Sequence, residues 1–151
     1  MRTAVEELVY RTCLALDAHD FERYLALCSL GFRYAVRAHS PEIRRDMVWL
    51  DHDRAGMEAL FRTLPRHRSD PGRLSRHATV YTVEFEEGET RANVVTGLLV
   101  FRTAPDGGAT SLFAAGKLHD AVDLQDGKAL LARRTVILDT RELGIGTHIP
   151  F

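Results

Sequence analysis

The segment ALLARRTVILDT, residues 129–140, carries more information about the architecture than any other part of the chain. Its apolar run predicts a β-strand, yet it contains two adjacent arginines. Because successive side chains of a strand point to opposite faces, the two arginines must lie on different faces of a sheet. Strict alternation places Arg134 with Leu130, Ala132, Val136 and Leu138, and Arg133 with Leu131, Thr135 and Ile137.

Each arginine therefore has apolar neighbours on its own face, and a guanidinium in such surroundings needs a carboxylate or carbonyl partner. We predict that at least one of the two pairs with an acidic group. The nearby candidates are Asp139 and Glu142, and a carboxylate of another subunit is the further alternative.

Three more long strands precede this segment along the chain. They are LSRHATVYTVEFE at 74–86, RANVVTGLLVFRT at 91–103 and TSLFAAGKLHDAV at 110–122. Turn signals separate them at Glu87–Gly88, at APDGG and at QDG, the last being typical of a tight hairpin. The second half of the chain is thus predicted to be an antiparallel meander.

The first half has helical periodicity before it changes to strand periodicity. A helix is predicted before Asp17, and a shorter one follows with Asp20 as its N-cap. Strands are predicted in GFRYAVRAHS, residues 31–40, and EIRRDMVWL, residues 42–50, followed by a helix over 54–64 capped by Asp53. Helices first and a long antiparallel sheet later indicate the α+β class.

The later strands have apolar residues on both faces. In the first of them Val80 lies on one face while Tyr81 and Val83 lie on the other. A sheet with one solvated face alternates more regularly between apolar and polar residues. We therefore expect both faces to be covered, one by the helices and the other by sheet curvature or a partner subunit.

Composition restricts the class of protein. A length of 151 residues suits a single domain spanning 1–151, and 45% hydrophobic with 27% charged residues is an ordinary globular balance. The net charge is −1 with dispersed basic residues, which argues against nucleic-acid and membrane partners. Two cysteines without CxxC spacing disfavour a disulfide scaffold, and a cytoplasmic location is expected.

The C-terminal third resembles a known family. The segment RRTVILDTREL at 133–143, preceded by NVVTGLLVFRT at 93–103, is similar to the small (beta) subunit of Rieske-type aromatic-ring-hydroxylating oxygenases. SRHATVYTV at 75–83 is compatible with it, and residues 39–70 are similar to the branch associated with methanesulfonate monooxygenase. The resemblance implies the nuclear transport factor 2-like, or SnoaL-like, fold. This is a cone-shaped α+β barrel whose N-terminal helices pack on a long curved, mostly antiparallel sheet.

The resemblance also implies a role. Such a subunit is non-catalytic and supports the trimeric core of a multicomponent oxygenase. The large (alpha) subunit carries the Rieske [2Fe-2S] cluster and the mononuclear iron. The sequence agrees, since a Rieske centre needs two Cys and two His at CxH…CxxH spacing. Neither Cys13 nor Cys28 has that spacing, and His52 between Asp51 and Asp53 is interpreted as a polar turn before a helix. No cofactor or metal is therefore expected in this chain.

Several residues are candidates for contacts with the large subunit or with other copies in a trimer. Arginine is favoured at protein interfaces, tryptophan is a common anchor there, and the apolar tail is expected to pack on its own domain or on a neighbour. The candidates are Arg33, Arg37, Arg44, Arg45, Arg76, Trp49, Arg133, Arg134, Asp139 and Phe151.

Two alternatives remain. The first is a stand-alone dehydratase or isomerase of the same fold, with His77 or His119 as the base and Asp20, Tyr34 or Tyr81 as supporting acid–base groups. The second is a ligand-binding homo-oligomer without catalysis. A structural subunit should have a cone filled by its own side chains, whereas an enzyme should have an open pocket in which these residues meet.

Overall fold

The computed structural model describes residues 1–42, 44–67, 71–141 and 150–151, and these residues form three helices and six strands. The helices are α1 (Arg2–Asp17), α2 (Phe21–Ala26) and α3 (Arg54–His67). The strands are β1 (Cys28–Ser40), β2 (Arg45–Asp53), β3 (Arg73–Phe85), β4 (Arg91–Thr103), β5 (Thr110–Gln125) and β6 (Lys128–Leu138).

The six strands form one sheet in the order β2-β1-β6-β5-β4-β3. All neighbouring pairs are antiparallel except β1 and β6, which run parallel. The predicted meander is therefore confirmed, with β3 to β6 as successive hairpins. The parallel contact brings the first strand of the chain beside the last one. The predicted α+β class with a mostly antiparallel sheet is confirmed.

Two of the helices begin at the predicted caps. The Asp20 carboxylate accepts a hydrogen bond from the Arg23 amide at 3.1 Å, and the Asp53 carboxylate accepts one from the Gly56 amide at 2.8 Å. Such side chains satisfy backbone donors that have no partner within the helix. The predicted end of α3 at residue 64 was wrong. The helix continues to residue 67, because a proline in its last turn removes only one backbone donor.

All three helices pack on the same face of the sheet, which we call the inner face. The buried stripe of α1 meets β3 and β6, while α2 and α3 lie against β1. The inner face of β1 is the predicted alternating set of Phe32, Tyr34, Val36 and Ala38, each less than 5% exposed. One apolar core between helices and sheet therefore holds the domain together.

A β-bulge between β5 and β6 changes which side chains of β6 face the core. Ala121 lies opposite Arg133, and Val122 lies opposite Leu131, so that Ala132 has no partner in the ladder. The extra residue shifts the alternation of side chains between the two faces by one position. Leu131 therefore lies on the inner face with Arg134, and Arg133 points to the other side. The expected grouping of Leu131 with Arg133 was wrong for this reason.

The second face of the sheet, which we call the open face, is not covered by any described helix. Tyr81 and Leu112 are each 56% exposed, and Leu99 is 43% exposed. The apolar residues expected on both faces are present, but within the described part of the chain only the inner face is covered. None of the described helices is both long and apolar enough to span a bilayer.

Both thiols lie in the interior, on α1 and at the start of β1. Burial raises the pKa of Cys13 and raises that of Cys28 to about 12. Because the thiolate is the reactive form, we expect neither cysteine to react with an aromatic disulfide reagent in the folded protein at mildly alkaline pH. Both should react at once in concentrated guanidinium chloride. Rapid labelling of the native chain, followed by absorbance, would contradict this burial.

Candidate functional site

The centre of the inner face contains a fully buried ion pair between β5 and β6. Arg134 donates through Nε to one Asp120 oxygen at 2.9 Å and through Nη2 to the other at 2.7 Å. Both side chains are 0% exposed. The predicted acidic partner of one arginine is thus confirmed, although it is Asp120. Asp139 is exposed, and Glu142 lies outside the described residues.

Helix α1 completes this arrangement. The Thr12 hydroxyl accepts a hydrogen bond from Arg134 Nη1 at 3.0 Å and donates its own proton to the Val9 carbonyl at 2.6 Å. Each of the three guanidinium nitrogens is therefore hydrogen-bonded, as are both Asp120 oxygens. A buried charge is tolerated when its hydrogen-bonding groups are satisfied in this way.

The charge of Arg134 is maintained by Asp120. Burial alone would lower the pKa of the Arg134 guanidinium, because it disfavours the charged form. The negative charge of Asp120 and its hydrogen bonds outweigh burial and raise the pKa well above its usual value. The ion pair therefore joins β5 to β6, and the hydrogen bond to Thr12 joins Arg134 to α1.

A second buried arginine lies at the junction of α1 and β3. Arg76 Nη1 donates to Asp17 at 2.7 Å, and the Arg76 backbone amide donates to both oxygens of the same carboxylate. Its Nη2 donates to the Pro150 carbonyl. With a side chain 1% exposed, Arg76 joins the end of α1 to the tail of the chain.

Residues 150–151 lie in the interior of the domain. Phe151 is 4% exposed and belongs to the core cluster, and its backbone amide donates to the Tyr34 hydroxyl at 2.8 Å. Burial raises the pKa of Tyr34 to about 12, so its phenol stays protonated at neutral pH. Tyr34 is therefore buried and bonded to another residue of the same chain.

The residues proposed for a stand-alone enzyme do not come together. Tyr34 is inside the cone, while Asp20 is on the surface as the cap of α2. His77 is exposed, with its ring 5.1 Å from that of Phe101. His119 and Tyr81 are also exposed. Neither histidine reaches a carboxylate or phenol of this set, so the arrangement lacks the base–acid geometry that such an enzyme needs.

The interface candidates fall into two groups. Arg76, Arg134 and Phe151 are buried within the domain. For the two arginines this corrects the expectation that they face a partner, whereas Phe151 packs on its own domain, which was one of the two expected alternatives. The other seven are exposed. Arg33, Arg37 and Arg133 lie on the open face; Arg44, Arg45 and Trp49 lie at or on the edge strand β2, and Asp139 follows β6.

Among the described residues, no group of three His, Cys, Asp or Glu side chains converges in a way that could hold a metal ion. Cys13 and Cys28 are buried on different elements, without the paired histidines that a Rieske cluster requires. The described side chains therefore do not fit either iron group of an oxygenase, and no chemical step is assigned to them.

Asp120 and Thr12 were not identified from the sequence. A signal for Asp120 was present, because alternation puts it on the same strand face as Leu118 and Val122, where an unpaired charge would be costly. The surface pair of Glu42 with Arg141 was also missed. Hydrogen bonds from Arg141 at 2.8 and 3.0 Å lower the Glu42 pKa to about 2. The Glu42–Arg141 ion pair links the turn between β1 and β2 to the segment after β6.

Comparison with known proteins gives consistent matches over nearly the whole chain. A model of the SnoaL-like domain matches residues 1–135. The hydroxylase subunit beta of methanesulfonate monooxygenase from Methylosulfonomonas methylovora is 38% identical, with 97% of this chain and 85% of that protein covered. The subunit beta of 2-aminobenzenesulfonate 2,3-dioxygenase from Alcaligenes sp. is 29% identical, with 97% of each covered.

Solved structures show the same fold. The beta subunit of an aromatic-ring-hydroxylating dioxygenase from Novosphingobium aromaticivorans superposes with a TM-score of 0.76 at 21% identity, covering 93% of this chain and 90% of that one. An NTF2-like protein with a cystatin-like fold from the same organism has a TM-score of 0.70 at 19% identity, covering 93% and 83%. The predicted nuclear transport factor 2-like fold is confirmed. The chain belongs to the SnoaL-like domain family and, within it, to the beta subunits of oxygenases, as the resemblance of residues 133–143 had indicated.

Proposed function

We propose that this chain is the non-catalytic small subunit of a multicomponent Rieske non-haem iron oxygenase and that it supports a trimeric core. The observation that carries the proposal is that the buried polar groups of the described core bind one another. Where an enzyme of this fold would need acid–base groups that face a substrate, Arg134 and Asp120 neutralise each other and Phe151 packs beside Tyr34. Such contacts stabilise a domain.

The relatives support the partner assignment. Two proteins similar over 97% of this chain are named as beta subunits, one of a monooxygenase hydroxylase and one of a dioxygenase. A beta subunit implies a larger catalytic chain, and we assign to that chain both the Rieske [2Fe-2S] cluster and the mononuclear iron. The protein acts in this proposal as one domain over residues 1–151, in the cytoplasm, with neither nucleic acid nor membrane as partner.

The exposed candidates are the proposed contact residues. Half-exposed apolar side chains beside unpaired arginines are typical of interface patches rather than of solvated sheet faces. Trp49 is 36% exposed on edge strand β2, next to exposed Val48. Arg45 begins the same strand. We place one contact with the large subunit on this strand.

Co-expression with the large chain of the same oxygenase tests this role. We expect a tagged version of this chain to bring down the iron–sulfur chain in constant stoichiometry, measured by gel densitometry and by the visible absorbance of the cluster. Trp49→Ala and Arg45→Glu should weaken this association. Arg11→Glu, on the exposed side of α1, is the matched control and should not. Purification of this chain free of any iron–sulfur protein would overturn the proposal.

A further inference from the structure

The open face contains a polar groove, and two of the proposed contact residues, Arg37 and Arg133, line it. It has a volume of about 380 Å³ and crosses five strands. The groove floor follows the register of the sheet, since His119 lies opposite both Thr135 and Val95, and Arg133 lies opposite Ala121. The polar side chains that line it include Arg37, Thr82, Glu84, Asn93, His119, Arg133 and Thr135.

The groove has an excess of positive charge. Among the described residues, neither Arg37 nor Arg133 forms an ion pair, whereas neighbouring Arg33 pairs with Asp51 at 3.3 Å. Glu84 and Asp120 are the acidic residues of the lining, but the Asp120 carboxylate lies on the inner side, where Arg134 holds both of its oxygens. Glu84 is thus left to balance two guanidinium groups.

Like charges are brought together here by the strand register. Arg33 and Arg133 lie directly opposite each other on the neighbouring strands β1 and β6, and both line an adjoining pocket with Asn93. Side chains that are paired across strands lie close together, so like charges there repel. An anion bound beside Arg133 would relieve this repulsion, which none of the described carboxylates does by a direct pair with Arg133.

We propose that this groove binds a small tetrahedral oxyanion: a sulfonate, sulfate or phosphate group. Guanidinium groups recognise such oxygens through paired, charge-assisted hydrogen bonds. The hydroxyls of Thr82 and Thr135 supply neutral donors in the same lining. The inference goes beyond the small-subunit role and does not depend on it, because the groove is formed by one chain alone.

Titration of the purified full chain with methanesulfonate, sulfate, phosphate and acetate tests the site. Ionic strength is held constant with sodium chloride, and binding is followed by calorimetry and by amide NMR shifts. We expect saturable binding of the tetrahedral anions with one site per chain, and weaker binding of planar acetate. The tightest of the three identifies the natural source as a sulfonate, inorganic sulfate or a phosphate group.

Single substitutions assign the site to its residues. Arg133→Gln and Arg37→Gln should each weaken binding by about tenfold, the loss typical of one charge-assisted contact. Arg11→Gln, an exposed arginine on α1, is the matched control and should bind like the parent. All three variants are expected to keep the parent melting temperature, because surface substitutions change stability little.

Two results would overturn the proposal. One is binding that does not saturate or that is equal in all variants, since that is the behaviour of general charge screening. The other is a chain that binds no free anion while Arg133→Gln abolishes association with the large subunit. This second result would make the groove a protein contact, and it would leave the small-subunit assignment intact.

Discussion

Asp120→Asn is expected to lower the free energy of unfolding by about 3–5 kcal/mol, the usual cost of removing one partner from a buried ion pair. The substitution replaces one acceptor oxygen with an NH₂ group, which then faces a guanidinium that is 0% exposed and still charged. No second carboxylate reaches Arg134 among its described contacts, so the charge stays uncompensated. Urea denaturation followed by circular dichroism measures the loss.

The same strand provides a matched control. Asp123 is also on β5 and pairs with Arg91 at 2.9 Å, but both side chains reach solvent. Asp123→Asn should therefore cost about 0–1 kcal/mol, as exposed pairs do. Replacing both members of the buried pair, with Asp120→Leu and Arg134→Met together, should recover most of the loss. An Asp120→Asn variant as stable as Asp123→Asn would show that the pair is solvated.

Phe151→Ala is expected to destabilise the chain by about 3–5 kcal/mol, the usual cost of removing a phenylalanine from a packed core. The ring is 4% exposed, and both polar atoms of the peptide bond before it are hydrogen-bonded, because the Phe151 amide donates to Tyr34 and the Pro150 carbonyl accepts from Arg76. Thermal and urea unfolding measure the change.

Tyr34→Phe separates the hydrogen bond from the packing of the ring. It leaves the Phe151 amide buried without its acceptor, which should cost about 1–3 kcal/mol. Tyr81→Phe, on the open face at 56% exposure, is the matched control and should change stability by about 0.5 kcal/mol or less. Equal stability of the parent and Phe151→Ala would mean that the Phe151 ring does not pack in the core in solution.

Much of the fold could be predicted because the spacing of apolar residues and the residues that form turns and caps act between near neighbours in the sequence. The predicted turn at 125–127 and the apolar run after it form the last hairpin, whose second strand β6 spans 128–138. Asp20 and Asp53 cap helices because their side chains reach nearby amides. The open face was harder to predict. Its apolar residues were correctly identified, but a pattern of apolar residues does not show whether the residues that cover this face belong to the same chain.

The candidate site depended on contacts between residues distant in the sequence. Thr12 meets Arg134 across 122 positions, and Tyr34 meets Phe151 across 117. No periodicity within a strand or helix encodes such a meeting. His77, His119 and Tyr81 were plausible acid–base groups by residue type, and the sheet places them on its exposed side, apart from Tyr34.

The two arginines of β6 show which features the sequence pattern determines and which depend on the tertiary structure. Alternation established that Arg133 and Arg134 point to opposite faces and that one of them needs an acidic partner. Alternation does not show which arginine enters the core. In a regular strand Arg133 would lie on the same face as the buried Leu131 and would therefore be buried. The bulge at Ala132 shifts the β5–β6 register by one residue and sets Asp120 opposite Arg134. The burial of Arg134 rather than Arg133 follows from the packing of α1 against the sheet. Thr12 of α1 bonds to Arg134, and only a satisfied ion pair can remain buried there.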